Sequence, residues 1–496
     1  MYEGGKSDGP VVPAKPPNNT AGAVAEVVEE RGPAEGNTAS STHPGRRAGQ
    51  GAPSGLERVR EVARRDKEAR FTALLHHVTV DRLRAAYRAI RPQAAPGVDG
   101  VTWEVYGQDL EVNLRDLHQR LHVGSYRARP SRRSYIPKAD GRLRPLGIAT
   151  LEDKILQRAV IEVLNAVYEA DFRGFSYGFR PGRNPHHALD ALTVGLWRKK
   201  VNWVLDADVR DFFTSLDHDW LEKFFEHRIA DKRVLRLIRK WLNAGVIEEG
   251  NWSPTTEGAP QGASASPLMA NVYLHYVFDL WADWWRRRHG HGDVIIVRWA
   301  DDFIVGFEHQ DDARRFLAEL RERFAKFGLV LHPDKTRLIE FGRFAAKNRQ
   351  ARGLGKPETF DFLGFTHICA RMRDGRFWVR RITISKRMRA KLREVKDQLR
   401  RRRHQPIPEQ GRWLASVVRG YRAYYAVPGN RVAVASFRTQ VTKLWHETLE
   451  RRSQRTRISW ARMNRLATRW LPPARVVHPF PEMRFRATTQ GRSPVR

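Results

Sequence analysis

Cysteine is nearly absent from this 496-residue chain, and its absence excludes two kinds of architecture. A single residue, Cys369, cannot close an internal disulfide, and it cannot supply the thiolate set of a structural zinc site or an iron–sulfur cluster. Long apolar segments are absent too, because no run of about 18 apolar residues occurs and the N-terminus lacks the basic-then-apolar order of a signal peptide. We therefore expect a protein of the reducing cytoplasm that has no membrane partner.

Acidic residues are scarce relative to basic ones, with 55 Asp and Glu against 89 Lys and Arg and a net charge of +34. The excess is uneven: residues 1–50 carry −1, residues 51–370 carry +9 and residues 371–496 carry +26. So large a positive charge is typical of proteins that bind nucleic acid, because a polyanion relieves the self-repulsion. A basic surface that only maintains solubility is the alternative.

Residues 1–50 also lack Leu, Ile, Phe and Trp, and they are rich in Gly, Pro and Ala. Such a segment cannot bury enough apolar surface to offset its chain entropy. We therefore expect a disordered tail over residues 1–55, a folded body over 56–370, a basic helical part over 371–450 and a basic tail over 451–496.

Strand-like and helix-like patterns alternate in the body, which indicates an α/β (α+β) fold. Residues 203–205 and 294–297 predict strands, and residues 313–327 predict a helix because large apolar residues recur every three or four positions. In the basic part, prolines and a Pro-Gly-Asn turn separate three segments of helical periodicity, which are 385–403, 411–425 and 432–451.

Four aspartates stand in unusual surroundings. Asp301 and Asp302 lie between two strongly apolar runs, which predicts a hairpin with acids at its tip, and a structural turn is the alternative for this pair. Asp206 and Asp208 are expected to share one face of a strand, because side chains alternate with period 2. Paired Mg²⁺ ions are held by such carboxylates in enzymes of nucleotidyl transfer, so the pattern indicates a polymerase or a nuclease.

Short motifs accompany these acids in a fixed order along the chain. They are PGVDGVT (96–102), YIPK (135–138), RPLGI (144–148), GFRPGR (178–183), PQG (260–262), SPL (266–268), ANVYL (270–274), GL (328–329), KT (335–336) and FLGF (362–365). Each motif alone is weak, but in this order they resemble the reverse transcriptase/maturase proteins of bacterial group II introns. The resemblance implies a right-hand polymerase, with fingers and an antiparallel palm sheet followed by an α-helical thumb/maturase domain, in the bacterial cytoplasm.

The resemblance also implies roles for individual residues of the polymerase site. Asp208, Asp301 and Asp302 are the expected catalytic acids, and with the Val209 carbonyl they are the expected ligands of two Mg²⁺ ions, for which Mn²⁺ is a candidate substitute. The expected contacts to the deoxynucleoside triphosphate (dNTP) are Lys138, Arg144, Phe213, Gln261 and Lys335. Among them, Phe213 is expected to exclude a ribose 2′-hydroxyl, and Lys335 is expected to protonate the departing pyrophosphate. The expected primer grip is Phe362, Leu363, Gly364 and Phe365. Core packing is the alternative for Phe213 and for the grip, and a solvated basic loop is the alternative for Lys138 and Arg144.

RNA recognition is expected mainly from the basic part, where arginines alternate with aromatic residues. The expected RNA contacts are Arg180, Arg183, Arg400, Arg401, Arg402, Arg403, Trp413, Tyr421, Tyr424 and Tyr425. A thumb that only follows the template–primer duplex is the alternative. The expected partners are intron RNA, an RNA template with a DNA primer, dNTPs and target DNA, with a homodimer as a candidate assembly.

The sequence departs from the family pattern at several places. Trp299 stands where the family usually has Tyr, and residues 263–265 (ASA) replace the usual glycine and branched residues. The paired cysteines of an endonuclease module are missing, so residues 451–496 are expected to be a tail that contacts DNA. Two rival functions stay open, a splicing factor with a vestigial polymerase site and a related reverse transcriptase of phage defence or a CRISPR locus.

Overall fold

The computed structural model describes residues 55–137, 143–214, 216–255, 257–258, 262–453 and 457–489. The helices are α1 (Gly55–Arg65), α2 (Val80–Arg88), α3 (Trp103–Gln108), α4 (Leu110–Val123), α5 (Leu151–Asp171), α6 (Pro185–Arg198), α7 (His218–Glu226), α8 (Lys232–Leu242), α9 (Ser266–Leu274), α10 (Leu280–Arg288), α11 (Gln310–Lys326), α12 (Ala345–Ala351), α13 (Ser385–Arg401), α14 (Ile407–Tyr425), α15 (Arg431–Glu450), α16 (Trp460–Trp470) and α17 (Pro481–Thr489). The strands are β1 (Ser131–Pro137), β2 (Leu143–Ile148), β3 (Trp203–Ala207), β4 (Val246–Glu248), β5 (Asn251–Ser253), β6 (Val294–Trp299), β7 (Asp302–Phe307), β8 (Arg337–Glu340), β9 (Phe360–Phe362), β10 (Phe365–Arg371) and β11 (Phe377–Thr383). The chain thus forms a mixed α/β structure, as the sequence predicts.

The central sheet has the strand order β6-β7-β3-β8, and all of its pairs are antiparallel. Both faces are buried, because side chains alternate between two cores. Leu205, Ile296 and Val305 enter the core formed with helices α5 and α7–α11. Val204 and Ile304 enter a second core with helices α6 and α13–α16. This sheet therefore joins the body of the protein to its basic C-terminal part.

A second sheet, with the order β2-β1-β4-β5, is built around the hairpin of β1 and β2. Ile136 pairs with Arg144 and Pro137 pairs with Leu143. Residues 138–142, which include Lys138, lie outside the described residues.

The basic part begins with a strand pair rather than with a helix. Strand β10 runs through the expected boundary at residue 370 and pairs with β11, and the first helix of the basic part begins at Ser385, as the sequence predicts. Helix α14 begins at Ile407, before the expected start at Gly411, because Pro408 occupies its first turn, where a missing N–H costs nothing. Across the described residues, no helix is long and apolar enough to cross a membrane.

Candidate active site

The β6–β7 hairpin presents the acidic pair as the sequence predicts. Trp299 pairs with Asp302, so the turn consists of Ala300 and Asp301 alone. Ala300 has a φ of +55°, in the left-handed region that an alanine rarely adopts. Asp301 is only 1% exposed, and its Oδ2 has no hydrogen-bond partner among the described residues. A buried carboxylate oxygen of this kind is a candidate ligand for a cation.

The second pair of acids lies at the end of β3, beside this turn. Asp206 is still part of the strand and accepts a hydrogen bond from Arg337 Nη2 at 3.0 Å. Asp208 follows the strand and forms an ion pair with Lys335. Asp206 and Asp208 therefore form two neighbouring ion pairs. Their basic partners are Arg337, the first residue of β8, and Lys335, which lies just before that strand.

Burial dominates the electrostatics of the site, and repulsion between carboxylates reinforces it. Burial, reinforced by the charge of Asp208, raises the pKa of Asp301 to about 8. Burial and then the charges of Asp206, Asp208 and Asp301 raise the pKa of Asp302 well above its ordinary value. Burial also raises the pKa of Asp206 to about 6, although Arg337 opposes this shift. The four acids therefore form one coupled group in which added positive charge is favourable.

The donor set fits hard divalent cations in part. Asp208 and Asp301 supply carboxylates, and the pairing of Val209 with Leu331 uses the Asp208 carbonyl and the Arg210 N–H, which leaves the Val209 carbonyl out of that pairing. In the part of the chain that the structure describes, no three His, Cys, Asp or Glu side chains converge as a metal centre. Ions held here would therefore also need oxygen ligands from the backbone and from a bound phosphate.

The residues predicted to contact the dNTP have unequal outcomes. Lys335 lies at the site, against Asp208. Phe213 is 2% exposed and packs edge-on against Phe212, as its core alternative predicts, so its role toward the sugar stays a prediction. Lys138 and Gln261 lie outside the described residues, and Arg144 is described only by its backbone in β2.

The predicted primer grip forms the β9–β10 hairpin. Leu363 and Gly364 make its two-residue turn, with φ values of +46° and +82°, and Phe362 pairs with Phe365. Phe362, Leu363 and Phe365 are buried, and the Leu363 carbonyl accepts a hydrogen bond from the Tyr424 hydroxyl at 2.8 Å. The hairpin thus connects the central sheet to α14, and a grip on a primer would come from its turn.

The GFRPGR motif is more structural than the RNA prediction implies. Arg180 is buried in ion pairs with Glu169, and it also donates to the Arg173 and Ser176 carbonyls. Arg183 is half-buried, donates to the Gly174 carbonyl at 3.1 Å and covers the Tyr177 ring. The structure corrects the expectation that Arg180 contacts RNA, because its side chain is buried and bonded to Glu169 and to two carbonyls of its own loop.

The aromatic residues of the basic part divide between core and surface. Tyr421 is buried and stacks on Phe437 at 3.6 Å, and the buried Tyr425 packs against Phe365. The expectation that these two tyrosines offer their rings to RNA is therefore corrected, because both rings fill the second core. Half-buried Trp413 and Tyr424 keep part of their surface outside it.

The arginine run at the end of α13 is also divided. Arg400 and Arg401 are exposed in the last helical turn. Arg402 is half-buried with its guanidinium over the Trp413 ring, and the carbonyls of Arg402 and Arg403 accept hydrogen bonds from the Gln410 amide. The first two arginines are therefore the most exposed of the run, and Arg400 also lies 3.9 Å from Asp397 in an exposed ion pair.

Residues 457–489 fold back onto the protein rather than forming a plain basic tail. Helix α16 packs on α14 and α15, and α17 packs on α6 of the body. Arg484 of α17 and Arg381 of β11 both pair with Asp190 of α6, at 2.6 and 2.9 Å. The predicted DNA contact of this segment stays untested, but its described part has a structural role.

Arg298 is the residue of the site that sequence analysis misses. It lies in the otherwise apolar strand β6, is 0% exposed and is paired with Asp279. The signal available in the sequence is a charged residue within an apolar strand, two residues before the turn that carries Asp301, because such a charge needs a buried partner.

The sequence comparison identifies the class of protein that this part of the chain resembles. Residues 136–367 match the profile of the family described as reverse transcriptase (RNA-dependent DNA polymerase), so the chain contains a reverse transcriptase domain. That match runs from the end of β1 to the start of β10 and includes all four aspartates.

Individual relatives refine this class. The chain is 40% identical over 183 residues to Protein YkfC of Escherichia coli (strain K12), covering 36% of this chain and 48% of that protein. It is 33% identical over 222 residues to the group II intron-encoded protein LtrA of Lactococcus lactis subsp. cremoris, covering 44% and 37%. It is 29% identical over 91 residues to Nuclear intron maturase 1, mitochondrial, of Arabidopsis thaliana, covering 18% and 12%. The chain thus spans less than half the length of these curated relatives.

Proposed function

We propose that this chain is an RNA-directed DNA polymerase of a group II intron that extends a DNA primer on an RNA template. The observation that carries the proposal is the meeting of Asp208 and Asp301 at one edge of the central sheet, within a reverse transcriptase domain. In a right-hand description, the β1–β2 hairpin is part of the fingers, the central sheet is the palm and α13–α15 are the thumb.

Each residue of the site has a separate role in the proposed reaction. Two Mg²⁺ ions, when bound, would lower the pKa of the primer 3′-hydroxyl and neutralise charge on the departing pyrophosphate. Asp208 and Asp301 would hold them, with the Val209 carbonyl toward the nucleotide. Lys138 and Arg144 would bind the triphosphate, and Phe213 would exclude a ribose 2′-hydroxyl.

Binding of intron RNA is the second part of the proposal. Its support is the charge of +26 over residues 371–496, together with the exposed Arg400 and Arg401 at the end of α13. The names of two relatives refer to introns, one as an intron-encoded protein and one as an intron maturase. Target DNA and a homodimer stay predictions.

Primer extension tests the polymerase proposal. With an RNA template, a DNA primer, dNTPs and Mg²⁺, the wild type should make cDNA, and Asp208→Asn or Asp301→Asn should abolish synthesis while RNA binding is retained. The matched control is Asp311→Asn, which makes the same change at an exposed position of α11 and should leave synthesis intact. A wild type that is inert with Mg²⁺ and Mn²⁺ on several templates would refute the polymerase.

A further inference from the structure

The side chain of Arg298 forms a hydrogen bond with the turn that carries Asp301. Arg298 Nη1 donates a hydrogen bond to the Ala300 carbonyl at 2.7 Å, and Ala300 is the residue with the left-handed φ of +55°. A left-handed alanine costs free energy and persists only where its surroundings enforce it. The donor to its carbonyl is therefore part of what fixes the direction of Asp301.

All five N–H groups of Arg298 are used. Besides the bond to Ala300, Nη1 donates to Asn271 Oδ1 at 3.1 Å and Nη2 donates to Ser176 Oγ at 2.8 Å. Nε and Nη2 donate to the two oxygens of Asp279 at 2.7 and 2.5 Å. Since arginine has five such donors in a fixed planar fork, neither lysine nor an apolar residue can reproduce this set.

The partners of Arg298 come from separate elements and are themselves fixed. Asp279 is the last residue of a single π-helical turn (His275–Asp279) between α9 and α10, a feature that often accompanies functional sites. Asn271 of α9 also donates to the Gly178 carbonyl at 2.7 Å. At Gly178, an added Cβ would lie 2.3 Å from the Ala300 nitrogen, so the loop and the turn are in close contact.

A gain in folding stability does not by itself explain the buried network around Arg298. A buried ion pair is often neutral or unfavourable relative to apolar residues of similar volume, and every other residue of β6 is apolar. What an apolar residue would lose is the donor to the Ala300 carbonyl. The network is therefore better explained by the geometry it imposes on the turn.

We propose that Arg298 is a positioning residue for the polymerase site, which holds Asp301 toward Asp208 through the Ala300 carbonyl and is itself held by Asp279. The proposal rests on the polymerase function proposed above. If the proposal is correct, Arg298 affects the turnover rate of the polymerase although it does not contact the substrate.

The test compares Arg298→Lys with wild type in primer extension and in titration with Mn²⁺ alone, followed by electron paramagnetic resonance. Because a misplacement of about 1 Å can cost about 100-fold in rate, we expect kcat to fall by roughly that factor with little change in the KM for dNTP. Mn²⁺ binding that depends on Asp301 should weaken. Asp279→Asn weakens the ion pair that holds Arg298 but leaves Arg298 in the chain. It should likewise lower kcat with little change in the KM for dNTP.

Two further variants separate positioning from general damage. Arg381→Lys makes the same change in another buried Arg–Asp pair, away from the hairpin, and should leave kcat and Mn²⁺ binding near wild type. Ala300→Gly in the Arg298→Lys background should recover about tenfold in kcat, because glycine adopts the left-handed turn without strain. If Arg298→Lys does not fold, Asp279→Asn and the double variant Arg298→Met, Asp279→Leu carry the comparison.

The outcomes of this test and of the polymerase test can be told apart. If the wild type makes cDNA while Arg298→Lys keeps its kcat and Mn²⁺ affinity, positioning by Arg298 is refuted and the polymerase stands. Equal losses in Arg298→Lys and Arg381→Lys, or no recovery with Ala300→Gly, would also refute it. If the wild type makes no cDNA but its Asp301-dependent Mn²⁺ binding weakens in Arg298→Lys, the polymerase fails and the positioning stands.

Discussion

Replacing Lys335 with glutamine separates two effects that this lysine can have on the reaction. Its ammonium group pairs with Asp208, so it competes with any divalent cation for that carboxylate. Its place at the site also suits donation of a proton to pyrophosphate as it leaves, the role that the family resemblance implies. Lys335→Gln removes both the positive charge and the acid while keeping a side chain of similar length.

The size of each effect follows from the exposure of the pair. The Lys335 side chain is 52% exposed, and exposed ion pairs contribute about 0.2–1 kcal/mol. Loss of the competing charge should therefore lower the Mg²⁺ concentration for half-maximal activity by about 1.4- to 5-fold. Loss of a general acid should lower kcat at saturating Mg²⁺ by about 100- to 10,000-fold.

The assay is single-nucleotide extension over a series of Mg²⁺ concentrations, which yields both quantities from the same data. Lys347→Gln is the matched control, because Lys347 is exposed on α12, away from the acids. A higher Mg²⁺ requirement in Lys335→Gln would refute the competition with Asp208. An unchanged kcat would refute the role as an acid.

Three other predictions concern the nucleotide pocket, RNA binding and the C-terminal contact. Phe213→Ala should increase ribonucleotide incorporation relative to deoxynucleotide, and it should destabilise the fold by about 3–5 kcal/mol because the ring is buried; unchanged discrimination in a folded variant would leave Phe213 as a core residue only. Arg400→Gln with Arg401→Gln should reduce the magnitude of the log–log salt slope for RNA binding by roughly 0.7–0.9 per lost phosphate contact, measured by titration, and an unchanged slope would remove both from the interface. Asp190→Asn should expose residues 471–480 to limited proteolysis, since it removes the carboxylate that pairs with both Arg381 and Arg484, and an unchanged cleavage rate would contradict the bridging role of Asp190.

The elements that sequence analysis predicts well are those whose signal is local. The β6–β7 hairpin follows from two apolar runs that enclose two acids, and α11 follows from the spacing of its apolar residues, as Phe316, Leu320 and Phe324 are all buried. Such patterns need no knowledge of the rest of the chain.

The features that sequence analysis misses depend on neighbours distant in sequence. Tyr421 and Tyr425 lie on a helix whose exposed face is decided by the packing of Phe437 and Phe365, residues that no local pattern connects to them. Arg298 contacts Asp279 only after the π-helical turn between α9 and α10 has packed against β6. The continuation of β10 through residue 370 likewise depends on its pairing with β11.

The return of the chain from α16 to α6 has a consequence for the order of events during synthesis. Asp190 emerges early from the ribosome, its first partner Arg381 emerges almost two hundred residues later, and Arg484 emerges last. Domains fold as units with the N-terminal part first, so the reverse transcriptase domain can form while α17 is still inside the exit tunnel. Closure by α17 is then a late step that follows folding of the reverse transcriptase domain. A nascent protein whose α17 has not yet emerged would carry Asp190 with one arginine instead of two, and the contact between α6 and α17 would be missing until Arg484 leaves the tunnel.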